Sequence, residues 1–366
     1  MSYEQRTNTT VLIAEHRVHI AHMSIEKNVA LAPLTTIKLG GSAQHFTSIA
    51  SVDELIEALQ FARSEGLAVH ILGGGSNTIF SDAGFAGLVI HVGLTGVTID
   101  EGGRVTAAAG ENWDELVRQT IGQGLAGFET LSGIPGLVGA TPMQNVGAYG
   151  QEVAQTITQV KALDRETLEE VSFTNEECQF EYRGSRFKYQ DKEKYVITEV
   201  TYQLRPNGEP TVTYPQLIEA LSDHEITAGV AGLAEVRRVV LGLRSKKSMI
   251  VDPADPHSRS CGSFFVNPVL NQTELTTLQE TMQTDDVPTF VDDEGGTARV
   301  PAAWLIEQAG FTKGERRGGV GISANHPLAL VNYEGTTTEL LALAEEVRQG
   351  VEKKTGLSLT REPVVV

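Results

Sequence analysis

A chain of 366 residues, 40% apolar and 21% charged, is long enough to bury the cores of two or three domains and reads as a folded globular protein. Its formal net charge of -18 argues against general affinity for nucleic acid or an anionic membrane, so any anionic ligand requires a local basic pocket. The two cysteines, Cys178 and Cys261, are too few for a secreted disulfide framework and lack metal-ligand spacing. Together with the absence of a signal-peptide pattern or a membrane-length apolar window, they predict reduced thiols and a cytoplasmic protein.

Residues 1 to about 24 are polar, and a disordered tail is expected there. His16, His19 and His22 would share one face of a helix, but no acidic or cysteine partner accompanies them. The segment from Thr35 to Phe46 reads as a turn leading to Ser51, which forms an S-x-x-E capping box with Glu54. A helix then follows to Glu65, with Leu55, Ile56, Leu59 and Ala62 on its apolar face and Gly66 as terminator.

Ala68 to Leu72 predicts a buried strand that runs into Gly73, Gly74, Gly75, Ser76 and Asn77. A Rossmann dinucleotide site needs G-x-G-x-x-G opening a helix, and GGGSNTIF supplies neither the last glycine nor the helix. Successive backbone N–H groups in such a loop still suit a pyrophosphate. Strands are expected at Gly87 to Val92, Val97 to Asp100 and Arg104 to Ala109, then a helix from Asn112 to about Gly124.

The stretch Ser132 to Gly150 holds five glycines and two prolines, with Gln144, Asn145 and Tyr149 as its larger polar side chains. Glycine at this density costs regular structure stability, so the backbone there either beds a ligand or turns as a structural loop. Gln155 to Asp164 and Leu168 to Phe173 form a predicted hairpin around a DRET turn. Thr174 and Glu177 cap a short helix, EYRGSRFK at 181 to 188 is a loop, and Tyr195 to Leu204 is a strand. A linker at Arg205 to Pro215 leads into helices near Leu217 to Leu221 and Leu233 to Leu243. Strands at Ser263 to Val266, Leu328 to Tyr333 and Leu357 to Val366, and helices at Ala302 to Gly310 and Thr338 to Lys353, complete the chain.

Neither a G-x-S-x-G elbow nor an H-E-x-x-H zinc site is present, and no metal is expected. Arg237, Arg238, Arg244, Lys246, Lys247 and Arg259 gather in an acidic chain, either as a solvated helix face or as the pocket an anion requires. Ser263 after Gly262 is a turn serine or a hydroxyl facing a cavity. Cys261 has no recognisable histidine partner. Arg183 in its loop suits a carboxylate, and Glu362 in an apolar segment must be paired, hydrogen-bonded or raised in pKa.

Five segments in order, LGGGSN at 72 to 77, IPGLVGATPMQNVGAYG at 134 to 150, EYRGSRFK at 181 to 188, CGSFFVNP at 261 to 268 and AAWLIEQ at 302 to 308, resemble the UDP-N-acetylenolpyruvoylglucosamine reductases of the tyrosine-loop type. The resemblance runs from about Leu34 to Val366. It implies an α+β chain with a two-subdomain FAD-binding fold of the vanillyl-alcohol oxidase (PCMH) type and a separate α+β substrate-binding domain. The boundaries expected are a tail at 1–23, a first FAD subdomain from 24–72 with 346–366, a second at 73–236, and the substrate domain at 237–345.

The resemblance further implies non-covalent FAD and NADPH, with hydride passing from NADPH through FAD to C3 of the enolpyruvyl ether. It places FAD against Gly73, Gly74, Gly75, Ser76 and Asn77, and against Pro135, Gly136, Gly139, Ala140, Gln144, Asn145, Gly147, Ala148 and Tyr149. Ser263 would give the proton to C2 while Arg183 and Glu362 stabilise the enol-like intermediate. Tyr214, Arg244, Lys247, Asn267 and Gln308 would contact UDP-N-acetylglucosamine enolpyruvate. A cytoplasmic monomer without nucleic-acid or membrane partners is expected. Two positions depart from the family's habit: Arg361 stands where many relatives have proline, and Val266 where many have lysine. An FAD oxidase of an alcohol or sugar, and a nucleotide-sugar binding protein without catalysis, are the competing readings.

Overall fold

The computed structural model describes residues 13–14, 17–20, 23–291 and 296–366. A six-stranded sheet opens the chain in the order Ile13–Ala14, Arg17–Ile20, Met23–Ala30, Ser42–Ile49, Phe85–Val92, Ala68–Leu72. Its first four strands run antiparallel, and its last two pairings are parallel. The helix Val52–Ser64 covers one face with Leu55, Ala58, Leu59 and Ala62. Ser51 caps it by accepting from Glu54 N at 3.1 Å, and the Glu54 carboxylate reaches one residue further back, to Ala50 N. Gly66 ends it at φ +66°.

The structure corrects two expectations near the start of the chain. Where a disordered tail is expected over residues 1–23, Arg17–Ile20 pairs with Met23–Ala30, placing Val18 opposite Ile25. His19 lies in that strand, while His16 and His22 fall outside the described residues. The Thr35 to Phe46 turn gives way to the strand Ser42–Ile49. Its buried residues are Ala43, Thr47 and Ile49, of which only Ile49 is large and apolar, leaving little hydrophobic alternation to read.

A second sheet follows, five antiparallel strands in the order Glu170–Thr174, Ile157–Asp164, Tyr195–Gln203, Arg104–Ala108, Val97–Ile99. The DRET hairpin is therefore as expected. Helix Trp113–Gly122 starts where Asn112 Oδ1 accepts from Glu115 N. Its Trp113 is fully buried against Phe128 and Tyr202 and donates Nε1–H to Leu131 O at 3.1 Å. Leu88 and Ile90 of the first sheet share one apolar core with Val105, Val160 and Val200 of the second.

The C-terminal domain combines two three-stranded sheets with helices Gln272–Met282, Ala302–Gln308 and Thr337–Thr355. Its core joins Phe264, Leu305, Ile306, Leu340, Leu343, Val347 and Val351. The chain end then returns, Val364–Val365 lying parallel to Thr78–Ile79. These contacts redraw the expected boundaries. A division at 72/73 would cut the first sheet, because Phe85–Val92 lies between Ser42–Ile49 and Ala68–Leu72. A division at 236/237 would cut the helix Val230–Lys246. The helix Thr337–Thr355 packs in the C-terminal core, so only the last residues of 346–366 reach the FAD-binding side. Of the strands expected at Ser263 to Val266 and Leu357 to Val366, the structure retains one isolated bridge, Phe265 to Arg361, and the pair Val364–Val365.

Candidate active site

The two glycine-rich stretches meet face to face. A methyl group on Gly74 would lie 2.8 Å from Gly136 Cα, and one on Gly75, at φ +63°, would lie 2.1 Å from Leu34 O. Ser76 Oγ donates to Pro135 O at 3.2 Å. Backbone therefore packs on backbone, as glycine alone permits. Both loops open on a cavity of about 1430 Å³ running between the two sheets and the C-terminal domain. Gly73, Ser76, Asn77, Pro135, Gly136, Ala140, Gln144, Gly147 and Ala148 line it; Gly74, Gly75, Gly139, Asn145 and Tyr149 stand behind. Asn145 is buried and spent on structure: Nδ2 donates to Glu152 Oε2 and Glu181 O, and Oδ1 accepts from Ala154 N.

Arg183, Ser263 and Glu362, drawn from three distant parts of the chain, line the same cavity beside these loops. Asn77 Nδ2 donates to Gln144 Oε1, and Gln144 Nε2 donates to Glu362 Oε1, each at 3.0 Å. Arg183 approaches the same carboxylate oxygen with Nε at 3.9 Å and donates Nη2–H to Gly147 O at 2.7 Å. Its loop is closed by reciprocal backbone bonds between Glu181 and Gly184, which hold Arg183 at φ +55°, a conformation that costs a non-glycine residue energy. Lys188 Nζ donates to Arg183 O. Burial raises the Glu362 carboxyl above its ordinary value, against the opposing pull of Arg183, Lys188 and Gln144.

Ser263 follows Gly262 at φ +72°, and its segment is held by Phe264 N donating to Leu328 O and Glu362 N donating to Phe264 O. The serine and the glutamate are thus pinned to one another through backbone. Cys261 beside them is buried, its thiol pushed up to about 12 and hence an un-ionised neighbour.

The substrate-side residues divide. Arg244 lines the cavity and donates to Met249 O at 2.8 Å. Lys247 Nζ donates to Gln216 Oε1 at 2.9 Å, on the short helix Pro215–Ala220 that Tyr214 precedes. Burial lowers both cations from their ordinary values. Tyr214 meets Tyr149 edge-on at 5.6 Å and stacks on Phe290 at 5.7 Å. Asn267 Oδ1 accepts from Ala302 N, capping Ala302–Gln308, and Gln308 is exposed at that helix's end. Tyr214, Lys247, Asn267 and Gln308 lie outside the main cavity's lining.

Sequence reading missed Arg165, Lys188, Lys192 and His70 in the cavity wall. Lys188 belongs to the EYRGSRFK segment; Arg165 and Lys192 come from turns whose direction only the hairpin sets. Six cations of the lining (Arg165, Arg183, Lys188, Lys192, Arg244, Arg361) face two carboxylates, Glu193 and Glu362. In a chain of net charge -18 this is the local basic pocket an anion requires. Among the described residues no cluster of histidine, cysteine or carboxylates could hold a metal, and no helix is long and apolar enough to cross a membrane.

Two family models match the chain: an FAD binding domain at residues 43–167 and a UDP-N-acetylenolpyruvoylglucosamine reductase C-terminal domain at residues 253–366. The reductase of Streptomyces avermitilis is 44% identical over 354 residues, covering 95% of this chain and 96% of the relative. That of Thermobifida fusca is 44% identical over 353 residues, covering 94% and 98%. The chain belongs to the UDP-N-acetylenolpyruvoylglucosamine reductase family. A crystal structure of the Thermus caldophilus reductase shares the fold, with TM-score 0.65 at 24% identity over 94% of this chain and 99% of that one. As a member of this reductase family the chain is an FAD-dependent oxidoreductase.

The cavity's chemistry fits FAD. The lining residues of the glycine loops at 73–77 and 134–150 include no carboxylate, and six cations complete the lining. Gly73 opens onto it with room to spare: a methyl group there would meet nothing nearer than Ala140 Cβ at 3.8 Å. Open backbone of this kind suits a pyrophosphate, which backbone N–H groups can hold.

Glu362 yields a stability prediction. Because its folded-state pKa is raised, the folded protein holds an extra proton between the unfolded and folded values, and stability falls as pH rises through that window. Glu362→Gln removes the penalty. The FAD-loaded variant is expected to melt above the wild type at neutral pH and to converge with it below about pH 4, where the acid is protonated in both states. A wild type that melts higher at neutral pH would show that the carboxylate is net stabilising.

Proposed function

We propose that this chain reduces the enolpyruvyl ether of UDP-N-acetylglucosamine enolpyruvate to UDP-N-acetylmuramate in peptidoglycan precursor synthesis, with NADPH as hydride donor, as a cytoplasmic monomer. The observation that carries this reading is the convergence of Ser263, Glu362 and Arg183 on one cation-lined cavity beside the glycine loops. FAD, when bound, relays hydride to substrate C3. The residues of the chain do the rest.

Delivery of hydride to C3 leaves negative charge spread from C2 onto the substrate carboxylate. Arg183, fixed by Gly147 O and facing Glu362, places a guanidinium where that charge develops. Ser263 gives its hydroxyl proton to C2, completing the ether as a lactyl group. Glu362, held by Gln144, polarises the same region. Arg244 and Lys247 receive the diphosphate, and Tyr214 closes the nucleotide side. Gly73, Gly74, Gly75, Ser76 and Asn77, with Pro135, Gly136, Gly139, Ala140, Gln144, Asn145, Gly147, Ala148 and Tyr149, form the FAD bed in two layers, one facing the cavity and one supporting it. Asn267 shapes the helix that carries Gln308 toward the substrate.

Anaerobic addition of NADPH, then of the enolpyruvyl sugar, tests the whole scheme. Flavin absorbance is expected to bleach with the first and return with the second; bleaching that only oxygen reverses would favour an oxidase. Lys247→Ala is expected to weaken substrate binding by about 10- to 150-fold, the loss of one charged hydrogen bond of ~1.5 to 3 kcal/mol. An unchanged Michaelis constant would remove Lys247 from the diphosphate site.

A further inference from the structure

The first glycine loop and the returning end of the chain are joined at Asn77. Its backbone O accepts from Val364 N at 2.9 Å, and its side-chain Nδ2 donates to Gln144 Oε1 at 3.0 Å and to Glu362 O at 3.4 Å. Glu362 O is a backbone carbonyl and can only accept, so it fixes which end of the Asn77 amide faces it: the NH2 group. The second hydrogen of that group goes to Gln144 Oε1. With its oxygen engaged, Gln144 has only its own NH2 group to offer the Glu362 carboxyl, and Nε2 donates to Oε1 at 3.0 Å. One backbone carbonyl thereby sets the direction of every bond in the chain.

Oε1 of Glu362 meets donors from two elements, Gln144 Nε2 and, at 3.9 Å, Arg183 Nε. A proton on this oxygen would point at N–H hydrogens, and among the described residues no hydrogen bond reaches Oε2. Burial makes the question matter, because it raises this carboxyl against the pull of Arg183, Lys188 and Gln144, while the neighbouring Cys261 thiol stays uncharged.

We propose that Asn77 and Gln144 are positioning residues for Glu362: Asn77 turns the Gln144 NH2 group toward the carboxyl, Oε1 is held as its carbonyl oxygen, and the acid proton is confined to Oε2, which donates a hydrogen bond to the reacting end of the substrate. The role extends Asn77 and Gln144 beyond the FAD bed. The substrate contact rests on the enolpyruvyl-sugar reading; the placement of the proton does not.

Infrared difference spectroscopy of the FAD-loaded protein between low and high pH tests the placement. The carbonyl stretch of protonated Glu362 is the band that vanishes in Glu362→Gln. A carbonyl freed from a hydrogen bond stiffens, so Gln144→Met is expected to move this band to higher frequency. Asn77→Ala is expected to move it in the same direction, and the double variant no further than Gln144→Met alone, since residues acting in series are not additive. Asn77→Ser and Gln144→Leu repeat the comparison should either first variant lose FAD. At equal flavin content each variant is expected to slow reoxidation by the enolpyruvyl sugar by about 2- to 12-fold, the range for one neutral hydrogen bond. A band unmoved in Gln144→Met, shifts that add in the double variant, or no protonated band at any pH overturns the placement. Shifted bands with wild-type reoxidation rates overturn the positioning role. A wild type that the enolpyruvyl sugar does not reoxidise overturns the substrate reading instead, and the band shifts still decide where the proton sits.

Discussion

Ser263→Ala is expected to leave flavin reduction by NADPH at the wild-type rate while slowing reoxidation by the enolpyruvyl sugar by about 10²- to 10⁴-fold, the usual worth of a positioned general acid. The separation of the two limbs follows from position. Ser263 is the C-terminal domain's contribution to the cavity lining, its segment held by Leu328 O and by Glu362 N, whereas the glycine loops at 73–77 and 134–150 belong to the FAD-binding part of the chain. The substitution removes only one hydroxyl, from a half-buried side chain. Stopped-flow absorbance measures each limb separately. Equal slowing of both would assign the serine a structural or cofactor-side role, and no slowing of reoxidation would send the proton through another group.

Arg183→Gln is expected to slow the same reoxidation limb by about 10²- to 10³-fold, the loss typical of removing one preorganised donor to developing charge. Arg183→Lys is expected to restore little. The guanidinium spans Gly147 O at 2.7 Å and the Glu362 carboxylate at 3.9 Å with two different nitrogens, a fork that one ammonium cannot reproduce. The loss of Arg183 also removes the strongest charge that opposes the raised pKa of Glu362, so the carboxylate is expected to stay protonated to higher pH, and the pH profile of reoxidation to shift alkaline. Single-turnover rates across pH decide this: a rate within about tenfold of wild type and an unmoved profile would place Arg183 outside the reacting region.

Short-range chemistry was legible in the order of residues. The Ser51 cap, the Gly66 stop, the Asn112 cap and the DRET hairpin each depend on hydrogen bonds within a few residues, and all lie where expected. Five motifs in order were enough to indicate the reductase family and its flavin. Which sheet owns a strand and which side of a loop faces the cavity depend on chain packing remote in sequence. Phe85–Val92 joins the first sheet through parallel pairings to strands that precede it, and no local signal distinguishes that from membership of the second. Among the glycines, Gly73 faces the cavity while Gly74 and Gly75 pack on Gly136 and Leu34, a difference set by the neighbouring chain and invisible in GGGSN. Arg165 and Lys192 enter the cavity lining for the same reason: which charges stand side by side is a property of distance in space, which local sequence does not record.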